Sequence, residues 1–299
     1  MPLESANSNK FTDTFTRQIL LKACREVELK PSSIIPLRHQ TNGVYLLRDE
    51  MLVAKVARPE YGIEHTKRTV GTVRWLMEMR FPTVPLAGFD QPIVIEGSAV
   101  TFWSYLAQDR PVRAVDIARP LRQLHSLGRP PAAIPDLDAI PAIWYSIANE
   151  VILTEDEHEY LAARCTHLAD AAHGLRYEQP SRLLHGDPQH ANALWNVDHA
   201  VLSDWDSLVF GPVEWDLVTI DVHCRRFSYP SAEYDEFCSV YGRDIRQWDG
   251  YQVLRDIREL RMIATNARKS AAGSPAALEV KRRISQLRNG ADESAWFIL

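Results

Sequence analysis

Apolar positions along this chain follow two regimes. Between Phe11 and Leu29, Phe15, Ile19, Leu20, Ala23 and Val27 recur near helical spacing, which predicts a helix stopped by Pro31. Short apolar runs follow at Ser33–Leu37, Val44–Leu47 and Met51–Val56, parted by Thr41-Asn42-Gly43 and Arg48-Asp49-Glu50. Runs of this kind between turn residues predict a three-strand antiparallel meander. Val70, Val73, Leu76 and Met77 then give an inward stripe to a helix from about Gly62 to Met79. Phe81-Pro82-Thr83-Val84-Pro85 ends it, and Ala99–Leu106 reads as a long buried strand. The polar residues 1–10 are expected to be disordered.

From Arg110 the spacing turns helical. Helices are expected over 114–128, 142–153, 155–173, 211–224, 243–266 and 276–287, with a proline-rich loop at 129–141. The apolar end, Ala295-Trp296-Phe297-Ile298-Leu299, needs somewhere to dock. The expected class is α+β, with an antiparallel-sheet lobe over residues 1–106 and a mainly helical lobe over 107–299. A chain of 299 residues is long enough for two lobes.

The chemistry concentrates in residues 183–206. A polar knot of His185, Gly186, Asp187 and Asn192 precedes two apolar runs around Asn196-Val197-Asp198-His199, and the second run ends in Ser203-Asp204-Trp205-Asp206. This pattern predicts a strand, a loop, then a hairpin with acids at its exit. The hairpin is expected to bring Asp187, Asn192 and Asp204 together. Two carboxylates and an amide oxygen are hard ligands of the kind Mg²⁺ takes beside waters and phosphates. A spare Asp at such a site can orient a hydroxyl and accept its proton.

These residues resemble the aminoglycoside phosphotransferase family, small-molecule kinases related to protein kinases. The matching segments are His185-Gly186-Asp187 with Asn192, then Asp204-Trp205-Asp206, then Gly211-Pro212-Val213-Glu214-Trp215-Asp216-Leu217. The resemblance implies a two-lobe protein-kinase-like fold. It implies that Asp187 is the catalytic base, that Asn192 and Asp204 hold Mg²⁺, and that ATP (or GTP) is the phosphoryl donor. Asn42 and Gly43 would lie in the phosphate-covering loop, and Lys55, on the third strand, would hold the α- and β-phosphates. Glu64 is the acid chosen to pair with Lys55, although the family's position for that acid falls near Thr69. Backbone groups of Ser104, Tyr105 and Leu106 would read the adenine edge. Asp216 would brace the catalytic loop, with Asp206 an outer partner of the metal.

Composition narrows the partners. A net charge of −5 disfavours nucleic acid, and no apolar run reaches membrane-span length. The four scattered cysteines and an N-terminus without an apolar signal region fit a cytoplasmic protein. The expected acceptor is a hydroxylated small molecule, with a cationic aminoglycoside-type antibiotic or amino-alcohol first. A polycation would need several acids, for which the candidates are Asp109, Asp136, Asp138, Glu150, Asp221, Glu233, Asp235 and Glu236. Trp144, Tyr145, Trp195 and Trp205 are the aromatic alternative, an apolar wall for a flatter or quaternary-amine compound. A pseudokinase that binds nucleotide without turnover is the competing reading, because the phosphate loop has a single glycine.

Overall fold

The computed structural model describes residues 11–39, 42–59, 62–291 and 294–299. The expectation for residues 1–10 and the tip of the first hairpin loop, residues 40–41, lie outside the described residues. Two compact units share the chain. One gathers residues 1–111, 130–134 and 194–206, and the other gathers 112–129, 135–193 and 207–299.

The first unit is built on a five-stranded antiparallel sheet. In chain order its strands are β1 (Ile34–His39), β2 (Asn42–Leu47), β3 (Leu52–Ala57), β4 (Ile93–Ile95) and β5 (Ser98–Ser104), arranged β1-β2-β3-β5-β4. Alternation along β3 sends Ala54 and Val56 to one face and Lys55 to the other. Ala54 and Val56 join Tyr45, Leu47, Val100 and Phe102 in a core closed by Ile19, Leu20, Ala23 and Cys24 of α1 (Asp13–Glu26). Thr12 caps α1 by accepting the Phe15 N–H at 3.2 Å. On the Lys55 face, α2 (Ile63–Glu78) lays His65, Thr66 and Thr69 over a small cavity shared with Lys55, Thr101 and Trp103.

A second hairpin, β7 (Ala193–Asn196) and β8 (His199–Leu202), closes this unit. Val84 N–H donates to the Leu202 carbonyl at 3.0 Å, and Leu202 N–H donates to the Pro82 carbonyl at 3.0 Å. Buried Trp205 follows, its Nε1 donating to Thr83 Oγ1 at 2.9 Å. The two anchors fix Asp204, between Leu202 and Trp205, and hold it in the left-handed region at φ 56°.

The second unit is mainly helical, with α3 (Ala114–Ser126), α4 (Ala139–Ala148), α5 (Glu155–Ala172), α6 (Glu214–Arg226), α7 (Ala232–Tyr241), α8 (Tyr251–Lys269) and α9 (Pro275–Arg288). Its centre is α6, buried on nearly every face. A short antiparallel pair, β6 (Arg182–Leu184) with β9 (Val209–Gly211), carries the polar knot. Among the described residues no helix is long and apolar enough to cross a membrane.

Four elements differ from the sequence pattern. Helix α4 begins inside the expected proline loop, because Pro141 sits in its first turn, where no N–H is required. It stops early because the Glu150 carboxylate takes the Ile152 and Leu153 N–H groups at 2.7 and 2.8 Å, turning the chain. Helix α7 was not expected: its stripe is only Tyr234, Phe237 and Tyr241, aromatics of modest helix preference. The last long helix starts at Tyr251 rather than Arg243, since Asp244 caps a separate 3-10 turn over Ile245–Gln247. At the C-terminal end Trp296 is buried between the Arg226 and Arg283 guanidiniums, each 4.7 Å from its ring, and the Phe297 N–H donates to Glu279 at 2.9 Å, while the Phe297 and Ile298 side chains stay largely exposed.

Candidate active site

In the helical unit the polar knot leaves β6 and is pinned from α6. The buried carboxylate of Asp216 accepts the His185 N–H at 2.8 Å and the Gly186 N–H at 2.9 Å. His125, also buried, lies 3.0 Å from Asp216 through Nε2 and 2.8 Å from the Tyr241 hydroxyl through Nδ1. Trp215 Nε1 donates to the Gly186 carbonyl at 3.0 Å. Gly186 is required here: it has φ +84°, and a Cβ would lie 2.0 Å from the Ser207 carbonyl oxygen. The loop is therefore over-determined before Asp187 is reached.

Asp187 is then held by side chains of the same unit. Gln189 Nε2 donates to its carboxylate at 3.0 Å, and Asn192 Nδ2 donates to its carbonyl at 2.9 Å and its carboxylate at 3.3 Å. Arg258, from α8, donates to the same carboxylate. Burial alone would raise the Asp187 pKa. The charges of Arg258, His223 and His185 outweigh it and hold the carboxyl below its ordinary value. Asp187 is thus an anion at neutral pH, with its lone pairs directed by three donors. The Asn192 amide nitrogen is spent on Asp187, so any ligand role would fall to the amide oxygen.

In the sheet unit, Lys55 reaches from β3 to two carboxylates, 2.8 Å from Asp204 and 2.6 Å from Asp206. Asn42 Nδ2 donates to Asp206 at 3.2 Å, and Arg38 lies 3.6 Å from Asp204. Burial favours a neutral lysine, but the two carboxylates win and the Lys55 pKa is raised. Strand pairing continues to His39 and Gly43, so Asn42 and Gly43 belong to β2 rather than to the loop. A Cβ on Gly43 would meet Thr16 and Tyr45 at 3.1 Å.

The expected pairing of Lys55 with Glu64 is not made. Glu64 bonds Lys67 at 2.8 Å, and its side chain is 84% exposed. The next residue, His65, points to the Lys55 cavity instead, because one step along a helix turns a side chain by roughly 100°. Further along, Ser104 N–H donates to the Pro85 carbonyl at 2.8 Å and Tyr105 N–H to the Met51 carbonyl at 2.9 Å. Among the described residues, no backbone bond uses the Leu106 N–H.

The model of the phosphotransferase enzyme family matches residues 33–256, well over half of the chain. The chain belongs to this family. A sequence comparison with curated proteins returns no match. Solved structures agree in fold at low identity. The amicoumacin kinase hAmiN, in complex with AMP-PNP, Ca²⁺ and Ami, is 14% identical with a TM-score of 0.68, covering 94% of this chain and 95% of its own. The choline kinase LicA from Streptococcus pneumoniae is 16% identical with a TM-score of 0.66, covering 91% and 99%. The aminoglycoside phosphotransferase APH(3'')-Id from Streptomyces rimosus ATCC10970 is 18% identical with a TM-score of 0.60, covering 82% and 98%. The fold class is the two-lobe kinase-like one, and the chain is a phosphotransferase.

Within each unit the expected residues gather, Asp187 with Asn192 in one and Lys55 with Asn42 and Asp204 in the other. Sequence reasoning missed Arg258, Gln189, His223 and His65 as neighbours of these groups. Gln189 lies inside the knot and could have been found there. Arg258 carried a fainter signal, a cation on the inward stripe of α8 one turn past Leu254. Each unit offers hard oxygen donors of its own, the Asp204 carboxylate in one and the Asn192 amide oxygen in the other. Among the described residues no three His, Cys, Asp or Glu side chains cluster as a metal site.

Proposed function

We propose that this phosphotransferase moves the γ-phosphoryl group of ATP, with a divalent cation such as Mg²⁺, to a hydroxyl of a small molecule. The lobe of residues 1–106 binds the nucleotide, and the lobe of 107–299 carries the reacting loop and the acceptor cleft. The observation that supports this best is Asp187: an ionised carboxylate on a loop braced by Asp216 and aimed by Arg258, Gln189 and Asn192.

In this reading the acceptor hydroxyl donates to Asp187, which orients it and takes its proton as the phosphorus–oxygen bond forms. Lys55 neutralises the α- and β-phosphates, and its two carboxylate partners keep it charged and extended until they arrive. Asn192 and Asp204 hold the cation, which neutralises charge on the phosphates. The Leu106 N–H and neighbouring backbone of the β5 exit take the adenine edge. An aminoglycoside or related amino-alcohol is the acceptor class that the family points to first. The test is ADP formation with Mg-ATP across a panel of hydroxylated compounds, in wild type and Asp187→Asn. Turnover that persists in the variant would sink the assignment.

A further inference from the structure

The surroundings of Asp187 are more basic than a polycation site should be. Of the acids available to a cationic compound, most are already engaged within the helical unit. Asp221 accepts from the Tyr251 hydroxyl at 2.7 Å, Asp235 pairs with Arg246 at 2.6 Å, and Glu236 pairs with Arg113. Glu233 accepts the Ala114 N–H at 2.7 Å and lies 3.3 Å from His190, and Glu150 is consumed by two backbone N–H groups.

Cations, in contrast, are left over. Arg258 and Arg261 stand one turn apart on α8, with guanidiniums 5.5 and 5.3 Å from the Trp215 ring. Trp215 is the residue whose indole holds the Gly186 carbonyl, so both cations border the reacting loop. Arg258 gives one nitrogen to Asp187, but its buried Nε has no hydrogen-bond partner among the described residues. Arg261 lies over the Trp215 ring and feels the Asp187 carboxylate as a favourable charge, without a direct ion pair to it among the described residues. Burial and the like charge of Arg258 pull its pKa down to about 10 against the opposing charge of Asp187. The unmatched Arg258 Nε is unfavourable unless a ligand supplies the acceptor, and half-buried Arg261 has donors that a ligand can reach. Arg on an aromatic face with a free fork of donors is the arrangement that takes a carboxylate or phosphate in bidentate fashion.

We infer that the acceptor carries an anionic group, a carboxylate or a phosphate, which docks on Arg261 and the Nε edge of Arg258 while its hydroxyl meets Asp187. This rests on the reading of Asp187 as the group that orients the acceptor hydroxyl, and it replaces the cationic acceptor as the first choice. Trp215 sets the guanidiniums in place, and neutral His223 adds no competing charge, since burial lowers its pKa to about 3.

Two measurements test it. Calorimetry with malonate and with inorganic phosphate, on wild type and Arg261→Gln, reads the anion site without catalysis. Binding weakened about tenfold or more in the variant supports the site, and the better of the two anions names the group. Anion affinity unchanged by Arg261→Gln overturns it. Turnover is then followed with gluconate, serine, glycerol 3-phosphate, xylitol, choline and kanamycin. The expected pattern is ADP formation confined to the anionic compounds. Arg261→Gln should raise KM about thirtyfold with kcat changed less than about threefold, and Arg261→Lys should fall between. Turnover of kanamycin, choline or xylitol with a KM indifferent to Arg261 overturns the proposal. Silence with every compound, while Arg261-dependent anion binding persists, supports the anion site and rejects the phosphotransfer reading alone.

Discussion

Arg258 donates to the carboxylate of Asp187, joining α8 to a loop that lies 71 positions earlier in the chain. The pair favours the ionised Asp187 carboxylate and restricts its direction. Removing either member has different consequences. Asp187→Ala should lower phosphorylation by at least about two orders of magnitude while nucleotide affinity stays within about threefold, because the nucleotide contacts are assigned elsewhere. Arg258→Gln should keep measurable turnover but move the acid limb of the rate profile to higher pH, since the largest attraction holding the Asp187 pKa down is gone. The sign for stability follows from the same depression. Asp187 contributes stability above its ordinary pKa and loses it as pH falls below that range, so Arg258→Gln should flatten this part of the acid unfolding curve. A pH–rate profile and acid titration by circular dichroism check both.

Lys55 and Glu64 offer a contrast within the sheet unit. Lys55 touches two carboxylates, whereas Glu64 touches only Lys67 on its own helix. Lys55→Met is expected to weaken ATP-analogue binding by about tenfold or more, because a charge-assisted contact is lost and Asp204 and Asp206 are left facing each other's charge. Glu64→Ala should leave binding within about twofold, as an exposed i,i+3 pair is worth only a few tenths of a kcal/mol. Calorimetric titration of both variants decides the matter, and a large loss in Glu64→Ala would restore Glu64 to the site.

Gly186→Ala should damage the protein although it adds one methyl group. The backbone there has a positive φ, and the new Cβ would stand 2.0 Å from the Ser207 carbonyl oxygen, which is main chain and cannot swing aside. The loop must shift, and with it the two N–H donors on Asp216. A loss of about 2–4 kcal/mol in chemical denaturation is expected, with turnover falling further than stability explains. A variant that melts and turns over like wild type would show that the loop has slack.

The strand, loop and hairpin from His185 to Leu202 were legible in the sequence because their signals are local: a polar knot and a hairpin turn within a few residues of one another. The β1–β3 meander and the Lys55 face were legible for the same reason, through period-two alternation. What stayed hidden arrives from a distance or depends on rotation. Arg258 reads as one more charge on a helix until α8 is seen to pack its stripe toward the knot. Glu64 and His65 are adjacent letters, and only the phase of α2 decides which side chain faces Lys55. Helix α7 failed for a different reason, its stripe being three tyrosine and phenylalanine rings that fit strands as readily as helices.

His223 sets α6 beside the Asp187 loop. It is buried beside Asp187, Arg258 and His190, and burial leads the causes that lower its pKa to about 3. His190, stacked on Tyr229 at 3.9 Å, is also lowered, first by burial. His223 is therefore neutral in the folded protein at pH 6, where the unfolded chain has begun to protonate it, and burial biases His190 in the same direction. A base with a depressed folded pKa destabilises as pH falls: the unfolded state gains protons through its ordinary value near 6.5 while the folded state does not. Stability should thus decline from about pH 6.5 downward, each such histidine adding a slope of about 1.4 kcal/mol per pH unit at most. His223→Asn removes one of these groups while keeping a polar side chain of similar reach beside Asp187. The variant should unfold along a shallower curve between pH 6.5 and 4 in urea titrations, even where its midpoint at pH 7.5 is lower. An unaltered slope would mean that His223 takes up its proton in the folded state, with Asp187 as the counter-charge, and the neutral ring assigned to it beside the reacting carboxylate would have to be abandoned.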